Sequence, residues 1–316
     1  MIAHLYRDVD VNIKHIKYVA LVILLVFPLS CAKKVPRVKR KKADRVIIKK
    51  PTKKETIPQE KKEVKKIKPD KKVVPKFPIL LPTYFNEKDG SDMALVPGGF
   101  FIMGDNQGEK NERPAIKVNV PDFYIDIYEI TNEKYGLYND NFENDDVFDC
   151  NLCPITGITW KEAENYCKWA GKRLPTEAEW EKTARGSQQL KWSWGNSPKK
   201  NAANILNNQE PQSQKENNAG PVKVGSFPQG ASVFGVFDMT GNVWEWTDSP
   251  YTPYENNLDT DIRYQEDYRV LRGGSWKNIL ENARTSYRHP VSPDTKLPNI
   301  GFRCVKDVEN LTTYSQ

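Results

Sequence analysis

The chain has 316 residues, a formal net charge of +7 and 38% hydrophobic residues, with 22 prolines and 18 glycines. That length is enough for one large core, and glycine, proline and asparagine every few residues argue against a bundle of long helices. The basic balance suggests an anionic partner at first sight, but the charge is unevenly placed along the chain.

Residues 1–31 carry Arg7, Lys14 and Lys17, followed by an apolar run from Tyr18 to Leu29 that ends at Ser30-Cys31. This is the pattern of an export signal, with an apolar run too short to span a bilayer. A small residue before Cys31 and a polar stretch after it resemble a lipoprotein cleavage site, although Pro28 stands where leucine is usual. Lipidation of Cys31 is the expectation, with an uncleaved anchor or plain secretion as the alternatives. Residues 32–80 hold 20 Lys/Arg and 5 Asp/Glu, with Phe77 as their one aromatic residue. They bury too little apolar surface to fold and read as an extended, self-repelling tether continuing to about residue 85. An exported tether does not meet nucleic acid. It is a solvated spacer, or it touches anionic headgroups or cell-wall carboxylates. With +7 overall, +15 in the tether and +1 in the leader, the remainder carries −9.

Residues 86–310 read as one domain without a fixed-period repeat. Phe123-Tyr124-Ile125-Asp126-Ile127-Tyr128-Glu129-Ile130 alternates towards its end and predicts a strand. Thr159-Trp160-Lys161-Glu162 is a capping box opening a helix with apolar positions at 160, 163, 166, 167 and 170, stopped by Gly171. Thr176-Glu177-Ala178-Glu179 is a second box, for a helix to about Arg185 with Gly186 as its stop. All eight tryptophans lie between positions 160 and 276. Gly241-Asn242-Val243-Trp244-Glu245-Trp246-Thr247 interleaves them with polar groups, so packed indoles hold polar side chains in place. The reading is α+β with much irregular structure, built as a binding or catalytic scaffold or, more plainly, as a tryptophan-rich core without a site.

Val96-Pro97-Gly98-Gly99-Phe100, Met103-Gly104, Glu112-Arg113-Pro114 and Tyr128-Glu129-Ile130-Thr131-Asn132 together resemble the sulfatase-modifying-factor family, whose founding member is the formylglycine-generating enzyme. So do Gly171-Lys172-Arg173-Leu174-Pro175-Thr176-Glu177-Ala178-Glu179-Trp180-Glu181, Gly241–Thr247, Leu271-Arg272-Gly273-Gly274-Ser275-Trp276 and Asn299-Ile300-Gly301-Phe302-Arg303-Cys304. Order and spacing hold from about 93 to 307. The resemblance implies a C-type-lectin-like α+β fold with little regular secondary structure, and it implies chemistry this chain departs from. Active members bind copper(I) through two thiolates after Gly-Gly-Ser. The matching positions here are Asn278 and Ala283, and no cysteine occurs between 168 and 303. Copper oxidase chemistry is therefore not expected. The iron-dependent relatives need three histidines and an additional helical domain. This chain has His4, His15 and His289, and His289 reads as a structural or surface residue rather than a ligand.

The resemblance further implies a Cys167–Cys304 disulfide, fitting an oxidising compartment. Cys150-Asn151-Leu152-Cys153 is a redox pair, half a metal site or a local disulfide. Without a second such pair or a nearby histidine, zinc is unlikely to be held there, and the local disulfide is expected. Calcium is the implied cofactor best kept: Asp238 and Glu245 supply carboxylates, Gly241 and Val243 backbone oxygens. The alternative casts both acids as acceptors for loop N–H groups. A second calcium site would begin at Asn204-Ile205, but its downstream aspartate has no clear equivalent. Ser275 and Trp244 match residues lining the family's reactive pocket. The resulting expectation is a lipid-anchored envelope protein that acts by binding envelope proteins or the cell-wall or membrane surface. The alternatives are a metal-dependent oxidoreductase of this family and a glycan-binding module.

Overall fold

The computed structural model of the chain describes residues 83–140, 150–206 and 220–308. The export signal, Cys31 and nearly all of the tether lie outside the described residues. Strands β1 (Thr83–Asn86), β2 (Ser91–Val96), β5 (Phe123–Asp126) and β10 (Val305–Asp307) form an antiparallel sheet in the order β1-β2-β5-β10. This sheet begins at Thr83, just ahead of the expected start of the domain. Strands β3 (Gly99–Met103) and β4 (Ile116–Val120) pair as a separate hairpin. The second four-stranded sheet contains β6 (Trp244–Pro250), β7 (Arg269–Arg272), β8 (His289–Val291) and β9 (Ile300–Gly301). Its order is β8-β7-β6-β9, with β9 parallel to β6.

Three short α-helices accompany the sheets: α1 (Asn132–Tyr138), α2 (Trp160–Trp169) and α3 (Glu177–Arg185). Both expected capping boxes are formed. The hydroxyls of Thr159 and Thr176 accept from the amides of Glu162 and Glu179, whose carboxylates return to the cap amides at 2.7 Å. Helix α1 gave no such signal, because Lys134 stands at the third helical position and only the Thr131 hydroxyl caps it. The strand expected over 123–130 ends at Asp126. Beyond it the backbone leaves the ladder: Ile127 donates to Asp92 and Ile130 to Phe302.

Helix α3 ties the two halves of the core together. Its three glutamates are all buried and each takes an arginine from elsewhere: Glu177 takes Arg288, Glu179 takes Arg173 and Glu181 takes Arg272. Trp180, between them, donates its indole N–H to Glu245 at 2.8 Å. A comparable buried pairing joins Lys172 to Asp89 and Asp126 at 2.6 and 2.8 Å. Burial pushes the Asp126 carboxyl up while Lys172 pulls it down, and burial wins. Removing one partner of such a pair leaves an uncompensated buried charge.

Both expected disulfides are present. Cys167–Cys304 joins α2 to the chain just before β10 across 137 residues, with both cysteines fully buried among Tyr135, Tyr166 and Phe302. A loop of that length is worth about 4–5 kcal/mol in the chain-entropy account. Cys167→Ala/Cys304→Ala is therefore expected to lower Tm by about 10 °C, read by thermal unfolding; a change within 2–3 °C counts against an important role for the bond. Cys150–Cys153 closes a local loop whose carbonyls hold neighbouring segments: Asn132 bonds to Cys150 and Cys153, and Val224 to Leu152.

Candidate functional site

The loop preceding β6 is built from left-handed turns at Asp238 (φ 59°), Gly241 (φ 85°) and Asn242 (φ 60°). Gly241 is required there, since a Cβ would lie 2.4 Å from the Asn204 carbonyl oxygen. That same carbonyl accepts from the Asn242 amide at 2.8 Å. Asn204 and Ile205, expected to begin a separate site, thus pack directly on this loop. Asp238 Oδ2 accepts from the Gly225 amide at 2.6 Å, as the hydrogen-bonding alternative required of it. Both oxygens of Glu245 accept from Arg303, at 2.7 and 2.8 Å, and one also from Trp180.

The structure adds Glu129, which sequence reasoning passed over. It is 1% exposed, accepts from the Asn242 side-chain amide at 2.6 Å and from the Val243 amide at 3.1 Å. The signal was an acid inside an otherwise apolar alternation. Three buried carboxylates (Glu129, Asp238, Glu245) therefore face one guanidinium, Arg303. Burial, together with Asp238 and Glu245, pushes Glu129 well above the carboxylate range; burial raises Asp238 to about 6. Excess buried negative charge with oxygen-only donors suits a hard dication. Asp238, Glu245 and the backbone oxygens of Gly241 and Val243 would hold calcium, with Arg303 as the resident competitor for Glu245. Among the described residues no cluster of three or more metal-ligating side chains is already arranged as a complete site.

The pocket that resembles the reactive centre lies on the other side of β6. Ser275 is fully buried and its hydroxyl bonds to Asn278 Oδ1 at 2.6 Å; Asn299 donates to the Ser275 hydroxyl at 3.0 Å. Ala283 is also fully buried and so close to Gly274 that a Cβ there would sit 2.6 Å from the Ala283 methyl. The two positions matched to the copper ligands thus hold a hydrogen-bonded amide and a packed methyl. Trp244, 4% exposed, stacks on His289 with ring centroids 5.1 Å apart and lies 6.0 Å from Tyr287. Burial and the Arg263 charge lower the pKa of His289, which keeps the imidazole neutral at pH 7. His289 serves as an aromatic partner, as a structural reading of it implied.

Two twisted sheets, three short helices and long irregular loops are the C-type-lectin-like α+β architecture. PvdO from Pseudomonas aeruginosa shares this fold at a TM-score of 0.58 and 23% identity, over 72% of this chain and 98% of that one. Residues 81–308 match the sulfatase-modifying factor enzyme 1-like domain, and the chain belongs to that family. It is 32% identical to the serine/threonine-protein kinase Pkn1 of Chlamydia trachomatis, over 69% of this chain and 39% of the kinase. The chain thus spans about two fifths of that relative's length. It is 31% identical to the inactive C-alpha-formylglycine-generating enzyme 2 of Mus musculus, over 67% of this chain and 84% of that protein. Among the described residues no helix is long and apolar enough to cross a membrane.

Proposed function

We propose that this chain is an exported envelope protein, anchored by a lipid on Cys31, whose domain binds a partner and does not carry the family's copper oxidase chemistry. Calcium organises the Asp238–Glu245 loop, and the basic tether lets the domain reach envelope proteins or the cell-wall surface. The observation that supports the non-catalytic reading most is the pair of residues at 278 and 283. A neutral amide already bonded to Ser275 and a buried methyl offer a soft cation no thiolate. The pocket's walls, Trp244, Ser275 and Asn299, are retained around them, as suits a surface kept for recognition. The printed name of the mouse relative, an inactive member, agrees with this reading.

The test is direct. The purified full chain, loaded with copper(I) and given a Cys-x-Pro-x-Arg peptide with oxygen, is expected to form no aldehyde. Aldehyde formation above the level of free copper would overturn the proposal and favour an oxidoreductase. Asn278→Cys/Ala283→Cys is expected to gain copper(I) binding, seen spectroscopically.

A further inference from the structure

One cavity lies outside both groups described above. It has a volume of about 310 Å³ and is lined by residues including Lys110, Asn111, Arg263, Tyr287, Arg288 and His289. Its volume is at the lower end of small-ligand pockets, at roughly 300 Å³. Most of its charges are already matched. Arg288, 3% exposed, is held by both oxygens of Glu177 at 2.6 and 2.9 Å, and Arg263 pairs with Asp261 at 2.5 Å. A ligand therefore needs no charge of its own to be accommodated.

Two groups remain open. Asn111 Oδ1 is buried and, among the described residues, has no hydrogen-bond donor. Its amide orientation is fixed, because Nδ2 donates to the Arg288 carbonyl at 3.3 Å and to the Tyr251 hydroxyl at 2.9 Å, and a carbonyl only accepts. A buried acceptor without a donor costs on the order of 1–3 kcal/mol, which a ligand N–H recovers. Lys110 makes no ion pair among the described residues, and its ammonium only donates. An acceptor and a donor in one cavity are the complement of a secondary amide. Tyr287 and His289 supply aromatic faces, with His289 backed by Trp244 at 5.1 Å. A rigid ring face suits the apolar face of a pyranose.

We propose that this cavity binds an N-acetylated amino sugar of a glycan: the acetamido N–H to Asn111 Oδ1, its carbonyl to Lys110, and the sugar ring on His289 and Tyr287. An adjoining cleft of about 510 Å³ shares Lys110 and Asp259 and provides room for further sugar units. The proposal rests on the binding reading of the protein and names its ligand class.

Calorimetric titration of the full chain with N,N′,N″-triacetylchitotriose tests it, with cellotriose as the ring without acetamido groups. Chitotriose is expected to bind, with cellotriose at least about tenfold weaker. Lys110→Ala changes an exposed side chain and is expected to weaken chitotriose about tenfold without altering Tm. Asn111→Ala and His289→Ala are expected to lose as much, with folding checked by Tm. Absence of heat at millimolar chitotriose overturns the proposal, as does equal binding of cellotriose or an unchanged Lys110→Ala. Displacement by a Cys-x-Pro-x-Arg peptide, with chitotriose inert, assigns the cavity to peptide and equally overturns it. Any of these failures leaves the copper assay untouched, so the wider binding reading is judged separately.

Discussion

Arg303→Met destabilises the calcium-free domain by about 3–5 kcal/mol, the expected loss when one partner of a buried ion pair is removed. Arg303 is fully buried and holds Glu245 with two hydrogen bonds. It also donates to the carbonyls of Asp126, Ile127 and Phe237, tying β5 to the loop before β6. Methionine fills much of the volume but leaves Glu129, Asp238 and Glu245 without a facing cation. A lysine in its place supplies charge without the fork and is expected to recover only part of the loss. Calcium is expected to recover more, since it supplies positive charge to the same carboxylates. Urea unfolding in chelator and in calcium measures both effects. A loss below about 1 kcal/mol in chelator would show that the pair is dispensable and would sink this account of the centre.

The second large effect is the linkage of calcium and pH. In the folded, metal-free domain the Asp238 carboxyl is raised from 3.8 to about 6 by burial, and Glu129 is raised further in the same direction. A carboxyl raised on folding stabilises the fold fully below its unfolded pKa, and that contribution is lost as pH rises through the folded value. In chelator, stability therefore falls between about pH 4 and pH 7, by about 3 kcal/mol from Asp238 alone. Carboxyls lowered by partners, such as Asp89 beside Lys172 and Asp261 beside Arg263, act in the opposite sense as pH falls. The difference between calcium and chelator isolates the centre, because calcium needs the ionised carboxylates and its affinity rises through the same window. Saturating calcium adds about 2.7 kcal/mol at a hundredfold excess over Kd, an increment expected near pH 7 and absent near pH 4.5. Glu245→Ala should abolish it. Identical Tm–pH profiles with and without calcium would rule the site out.

The sequence was legible where signals are local. The capping boxes at Thr159 and Thr176 each close within one helical turn, so α2 and α3 could be placed to within a residue. Gly186 marked the end of α3 because its left-handed turn, at φ 60°, disfavours other residues. Helix α1 was missed because its only local cue is a single threonine cap. The strand expected to reach Ile130 was overextended for a related reason: the alternation continues, while the backbone partners change.

Composition and motif by themselves determined the division into leader, basic tether and acidic domain, the α+β class, the family, and the Asn278 and Ala283 substitutions that carry the functional proposal. These follow from which residues are present and in what order. The tertiary structure decided which charges meet. Glu129 joins Asp238 and Glu245 across more than 100 residues; Arg303 competes for Glu245; Asn111 is left with an unmatched acceptor. Charge and hydrogen-bond satisfaction depend on separation in space and on dehydration, and neither is encoded by spacing along the chain.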